Sequence, residues 1–542
     1  MDTPEHGQES LTMTHRLHLS RRALLGAPLA FPSGRPALGQ ASDRRLTIGV
    51  GAPPTSLDPH YHNIGSNNAL TMHLFDRLVD RDGRAQPRPA LAQSWHPVSE
   101  REWEFRLRPD VRWHDGHLFT AEDVVFTFDR APRVANSPGG FGGFLRLVAG
   151  VDVIEPHLIR IRTRQPNPLL PLDLASVCII ARHINGTATE DYNSGRAAVG
   201  TGPYRLVSYV PGDRAVLASN PHWWGGAEPW AVVNYRVLSN DAARTAALLS
   251  GDVDVIDQIP TSDLAQLRRK PRVTISEIAS LRTMFLAPIH AAEGGQATVT
   301  DQDGIPLPRN PFLDLRVRRA LSRAINREAL AERVMEGSAK ATGQWLPDGA
   351  FGFNPAVKPD PFDPDGAKRL LAEAGYPAGF RTTVLTPNDR WPNDSRLTQA
   401  VAQMWTRVGV RTTVDAVPYA TFVQRRSRFE APMSLSAWAS STGEATNYLV
   451  NIVNTASREH LTGSNNLWRY FDPAMDELTA RASTTMDDTA REVLLREAVA
   501  HYAESLPYIQ LLQLTTNWAA RRGLRYEPRM DERTVAMGVR AI

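Results

Sequence analysis

Two histidines flank an Asp-Gly pair at His114-Asp115-Gly116-His117, in the run FRLRPDVRWHDGHLFTAEDVVFTFDR from Phe105 to Arg130. Imidazoles at this spacing could contribute to a metal or catalytic site. Zinc, however, needs three or four converging ligands and further groups that orient them. The flanking residues point to a turn. Trp103, Phe105 and Leu107 alternate with Glu104, Arg106 and Arg108, the period of a half-buried strand. Pro109-Asp110 breaks that period, Val111 and Trp113 resume it, and Asp115-Gly116 breaks it again. Thr120 stands three residues before Asp123, the spacing of a capping box, ahead of a helix with Val124, Val125 and Phe128 on its apolar face. The two histidines are therefore expected in a solvated strand-to-helix connection, with no metal and no catalytic residue.

Other reactive groups are equally bare of a catalytic frame. Cys178 is the only cysteine, so no disulfide forms within the chain, and its setting LASVCII predicts an inert core thiol. There is no G-x-S-x-G, no P-loop and no H-E-x-x-H. Carboxylates that could serve a secreted peptide or glycoside hydrolase are plentiful, but none stands in a recognisable pair.

A chain of 542 residues exceeds one hydrophobic core and should divide into two or three domains. Its 42% hydrophobic and 22% charged residues are ordinary for a globular protein. Net charge is +3, and only Lys270, Lys340, Lys358 and Lys368 among the 61 basic residues are lysines. The longest basic run, RRKPR at Arg268 to Arg272, has no stacking aromatics beside it. That composition excludes a nucleic-acid surface and suits a solvated helix end.

The N-terminus carries Arg21-Arg22 after Ser20 and before the apolar run Ala23 to Phe31. Ala37-Leu38-Gly39 supplies small residues for a signal peptidase, with Gln40 first in the mature chain. The segment 1–39 thus resembles a twin-arginine export signal. The acidic leader MDTPEHGQES is foreign to such signals and points to Met13 as an alternative start. No cysteine lies at the cleavage site for lipidation, and no run approaches the roughly 20 apolar residues that span a bilayer. A soluble periplasmic protein is expected.

Strands and helices then alternate, as in an α/β protein. Leu46, Ile48 and Val50 mark a first strand, and Leu70, Leu74 and Leu78 one face of a helix over NALTMHLFDRLVDRD. HLIRIRTRQPNP is a strand; Tyr204–Tyr209 and Ala215–Ala218 form two more across a Pro-Gly turn. A helix through AARTAALLS stops at Gly251, before a strand through Val253 and Val255. In DLRVRRALSRAINREALAERVM, Val317, Leu321 and Ile325 face inward, the arginines form a solvated face, and Asn326 caps a second helix. A helix begins at Asp363-Pro364 and stops at Gly375. Strand, helix, strand and strand follow through MSLSAWAS, and a helical region spans Pro473 to Glu504.

These blocks resemble, in order, the periplasmic solute-binding proteins of the peptide/nickel ABC importers, extracellular solute-binding family 5. The matching stretches include LDPH at Leu57, LRPDVRWHDGHLFTAEDVVFTFDR, GTGPYRLVSYVPGDRAVL with NPHWWGG, and AALLSGDVDVI. NPFLDLRVRRALSRAINREAL, DPDGAKRLLAEAGYP and GSNNLWRYFDPAMDELTARA carry the match through nearly the whole mature chain. The resemblance implies a type II periplasmic-binding-protein Venus flytrap, with an extra domain on its first lobe. Lobe I would comprise 40–82, 200–286 and 508–542, the extra domain 83–199, and lobe II 287–507.

The resemblance also implies a function: capture of a small peptide-like or related organic solute for an inner-membrane ABC permease and its ATPase subunits. The protein would act as a monomer, without cofactor and without catalysis. Trp438 occupies the family's characteristic cleft-Trp position; Ser441, Ser239, Tyr61 and Glu444 are further ligand-binding candidates. Because the wider family includes nickel binders, His60, His62 and His73 define a metal-chelate alternative. Peptide-binding members carry an aspartate three residues after the cleft Trp, paired with the ligand's α-ammonium. Here Ser441 stands there, and a hydroxyl brings no countercharge. Glu444 could compensate if its backbone turned inward.

Overall fold

Two long antiparallel strands, Val273–Pro288 and Ile509–Arg521, form the spine of the structure, a computed structural model that describes residues 44–184, 188–291 and 299–542. The proposed export signal lies outside the described residues. The spine sits within an 11-stranded mixed sheet. On one side follow Val255–Asp257, Arg45–Val50, Val232–Val237, Arg214–Ser219 and Tyr204–Val210. On the other follow Met433–Ala439, Phe380–Pro387 and Val410–Val417, while Ala339–Ala341 pairs with the second spine strand. Arg45–Val50 and Phe380–Pro387 each run parallel to both neighbours. Parallel strands need crossover helices, which cover both faces and demand apolar side chains.

The spine serves two cores. Trp518 and Ala520 pack with Leu46, Ile48, Val50, Tyr204 and Val233. Ile509, Leu511, Leu512 and Leu514 pack with Met284, Leu286, Val317, Leu321 and Trp405. A third core, with Trp103, Phe105, Trp113, Val124, Ile159 and Ile161, belongs to a separate four-stranded antiparallel sheet. That sheet orders Ala92–Ser99, Glu102–Leu107, Leu158–Thr163 and Val148–Glu155. A fourth cluster is aromatic: Trp345 stacks on Tyr448 at 4.6 Å, and spine residue Gln510 donates to the hydroxyls of Tyr448 and Tyr502.

Local signals account for many element ends. Asp123 accepts from the Thr120 backbone N–H at 2.8 Å and opens helix Ala121–Arg130. Helix Asp241–Ser250 ends on Gly251 at φ 88°, where a left-handed residue frees the chain to turn into the next strand. Asn326 accepts from Ala329 N, and Asp363 from Gly366 N, at the expected helix starts. The Pro473 region is two helices, Pro473–Thr484 and Asp488–Ser505.

Three expectations need correction. The helix expected to run through Leu78 is Gly65–Leu74. The Leu74 carbonyl accepts from Gly202 N, and a Cβ on Gly200 would fall on that same carbonyl, so a distant segment caps the helix. The arginines of DLRVRRALSRAINREAL are not all solvated. Arg318 is buried and donates to the carbonyls of Phe312, Leu313, Ser505 and Leu506; Arg327 is buried against Gln510 O and Ser322. A helix at Tyr419–Ser427, between the last two strands, was not expected.

Candidate functional site

The first spine strand is irregular where it passes between the two cores. Its register shifts between Ala279 and Thr283. Ser280 Oγ accepts from Arg282 N, Gln513 donates to Ser280 O, and Leu281 N donates to Met530 O. A bulge of this kind turns side chains out of the ladder. Leu281 and Arg282 thereby reach the lining of a cavity of about 1240 Å³, large enough for a drug-sized ligand.

One part of the cavity wall is a neutral network at the end of strand Met433–Ala439. Trp438 Nε1 donates to Asn447 Oδ1 at 2.9 Å, and Ser441 N donates to the same oxygen at 3.3 Å. Asn447 Nδ2 in turn donates to Ser441 Oγ at 2.9 Å. One amide thus orients the indole and the hydroxyl together. Asn447 sits on the short helix Ala445–Tyr448, whose entry is fixed by Glu444. The Glu444 carboxylate accepts from Thr446 N and Asn447 N, and from the hydroxyls of Thr442 and Thr446. Arg491 stands 3.3 Å away, with both charges buried.

Another part of the wall is ionic. Asp531 accepts from Arg529 Nε at 3.0 Å and Nη2 at 2.7 Å, and from the Arg533 backbone at 3.2 Å. Burial opposes ionisation of Asp531, yet the Arg529 and Arg533 charges hold its carboxyl far below the usual carboxylate range. Nearby, Arg81 donates to Ser176 Oγ, and burial together with the Arg533 charge lowers it to about 9.

Asp173, from the short helix Leu170–Leu174, lines the cavity and forms no ion pair with another of the described residues. Burial pushes its carboxyl up to about 7 against the pull of Arg146.

Of the residues singled out from the sequence, Trp438 and Ser441 line this cavity together. Glu444 does not line it; its carboxylate is consumed by the helix start and Arg491. Ser239 is exposed just beyond strand Val232–Val237 and is not part of the lining. Tyr61 is half-buried outside it, although the following Asn63 and Ile64 do reach the wall. His60 and His73 are buried and committed elsewhere. His60 bonds to Cys178 O and Arg130, and His73 to Ala69 O and Ala536 N. Burial lowers both to about 4. Asn447 and Asp173 went unmarked by sequence reasoning; Asn447 carried a faint signal, three residues after the helix-starting Glu444.

The His-Asp-Gly-His turn lies away from the cavity. His114 clamps it to the segment at Gly200–Gly202, accepting from Gly200 N at 3.1 Å and bonding to Gly202 O at 3.1 Å. Cys178 is buried in the first core, where burial raises its thiol.

Two α/β cores joined by crossing strands, with a polar and aromatic cavity at the junction, define a two-lobed solute-binding protein of the type II periplasmic fold. The chain belongs to the bacterial extracellular solute-binding proteins, family 5, whose middle-region model matches residues 86–459. It is 26% identical to heme-binding protein A of Haemophilus influenzae over 82% of each chain. It is also 26% identical to di/tripeptide-binding protein 2 of Pseudomonas aeruginosa, covering 91% of this chain and 93% of that one. The solved structure of HbpA2 from Haemophilus parasuis superposes with a TM-score of 0.76 at 23% identity, over 92% of this chain and 100% of that one. Among the described residues, no helix is long and apolar enough to cross a membrane.

Proposed function

We propose that the cavity captures a small peptide-like or related organic solute in the periplasm and presents it to an ABC permease with its ATPase subunits, without chemical change. The observation that carries this reading is the Trp438–Asn447–Ser441 network, an aromatic wall and placed polar groups beside the spine bulge. A ligand touching both sides of the cavity would shift a hinge equilibrium toward a closed form that the permease reads. The hinge would be the spine, between lobe I (40–82, 200–286, 508–542, with 83–199 as the extra domain) and lobe II (287–507). Segment 1–39 would direct export; changing Arg21 and Arg22 to Lys should leave precursor in the cytoplasm, and normal processing would count against it. The metal-chelate alternative has little support in the cleft, because none of His60, His62 and His73 lines it and the ring nitrogens of His60 and His73 are already committed.

The ligand class follows from the missing countercharge. A buried charge without a partner costs about 3–5 kcal/mol, more than a hundredfold in affinity. Ser441 and Asn447 offer an ammonium no such partner, so solutes without a free α-ammonium are favoured. Asp173 supports a second reading: its carboxyl, raised to about 7, would gain by ionising beside a ligand cation. Calorimetric titration of a dipeptide panel separates the two. Weak binding, indifferent to N-acetylation, supports the first. Submicromolar binding that is lost on N-acetylation and in Asp173→Asn would restore peptide binding with Asp173 as the anchor.

A further inference from the structure

The turn His114-Asp115-Gly116-His117 holds too few ligands for a metal by itself, but folding brings His183 beside it. We propose that Asp115, His117 and His183 form a surface site for a divalent first-row transition-metal ion, separate from the solute cavity. One ligand atom from each of the three lies within 4.8 Å of the others. Asp115 Oδ1 is 3.1 Å from His117 Nδ1, and its Oδ2 is 2.7 Å from His183 Nε2. The two imidazole rings lie 4.1 Å apart between centroids. Donors bound to one ion at about 2.0–2.2 Å stand about 3 Å from each other, so the cluster needs only small side-chain shifts to close on a cation.

The supporting backbone is fixed from both sides. Gly116, at φ 96°, takes the left-handed conformation that lets the chain reverse. Trp113 N donates to His117 O, His117 N to Asp115 Oδ1, and Arg112 to Gly116 O. His114 ties the turn to Gly200 and Gly202, as described above. On the other side, Arg182 N donates to Asp123 Oδ1, and the Trp113 ring packs edge-on against His183 at 6.2 Å. Such support orients ligands before the ion arrives.

Two imidazole nitrogens and one carboxylate oxygen suit zinc, nickel, cobalt or copper; calcium and magnesium prefer oxygen ligands throughout. On binding, the Asp115 contacts give way to metal bonds. Each neutral ring then keeps its proton on the nitrogen facing away, Nε2 in His117 and Nδ1 in His183. Three protein ligands leave positions for water, the arrangement of an open site. All three residues are exposed, so an ion has direct access.

The test is calorimetry of the full chain, purified without a histidine tag and stripped of metal, titrated with zinc chloride alone. One equivalent should bind saturably, and His117→Ala and His183→Ala should each weaken it by about tenfold or more. Cobalt titrated into the wild type should produce a visible absorption band that is absent from the double variant. Because all three groups are exposed, the metal-free variants should keep the wild-type circular dichroism. Zinc uptake that is non-saturable, or equally tight in the double variant, overturns the site; so does a cobalt spectrum that the two substitutions leave unchanged. None of these outcomes bears on solute capture in the cavity.

Discussion

The two polar parts of the cavity wall are built on opposite principles. Around Asp531 a single carboxylate is held by two cations: Arg529 grips it bidentately, and Arg533 stands 3.7 Å away. Around Trp438 there is no net charge, and a single amide, Asn447, sets two neighbours at once. The Asp531 carboxylate is spent on these contacts and holds the shape of this part of the wall. The neutral wall keeps the Trp438 indole in the cavity lining, where the proposed solute would meet it. Asp173 fits neither pattern, being a carboxyl held near neutrality by burial, which makes it the position where a cationic ligand would be felt.

Breaking the ionic wall should have the largest effect. Asp531→Asn leaves the buried Arg529 and the half-buried Arg533 without their shared anion and should lower stability by about 3–5 kcal/mol, measured by urea unfolding. A loss under 1 kcal/mol, on the scale of an exposed ion pair, would mean that this wall is not a closed ionic unit.

Asn447→Ala should be milder in stability and selective in effect. It removes the acceptor of the half-buried Trp438 indole N–H and Ser441 amide, at about 0.5–1.5 kcal/mol for each hydrogen bond lost. Since the indole loses its orientation, solute affinity should drop roughly tenfold, the equivalent of 1.4 kcal/mol. Unaltered affinity would separate Asn447 from recognition.

The smallest effect should appear only as a pH dependence. The folded Asp173 carboxyl ionises at about 7 against 3.8 for the ordinary group, so between those values the folded state holds the extra proton. Its contribution to stability is full below 3.8 and is lost as pH rises through about 7. Asp173→Asn should remove that slope, gaining on the wild type as pH rises across the window. Parallel pH profiles for the two proteins would refute the raised value.

The same contrast explains what could be read from the sequence. Features set by neighbours along the chain were legible: the Trp103–Leu107 alternation, the Thr120–Asp123 cap, the Gly251 stop and the core setting of Cys178. Features set by distant segments were not. Arg318 looks solvated by helical phase until the carbonyls of Ser505 and Leu506 arrive. His183 is remote in sequence from the turn it joins. Glu444 has the chemistry of a ligand anchor, but its local role in starting a helix uses its carboxylate first. Trp438 was found through family resemblance, whereas Asn447, which orients it, follows only from the folded geometry.

The central claim, that the cavity at the spine captures a solute through the Trp438 wall, is tested most directly by native-state mass spectrometry of the purified wild type and Trp438→Ala. The account predicts a small organic molecule carried by the wild type and released unchanged on denaturation. The variant should be largely empty, because truncating a central aromatic anchor costs about 2 kcal/mol or more. Equal ligand occupancy in both proteins, or release of a chemically converted product, would contradict it.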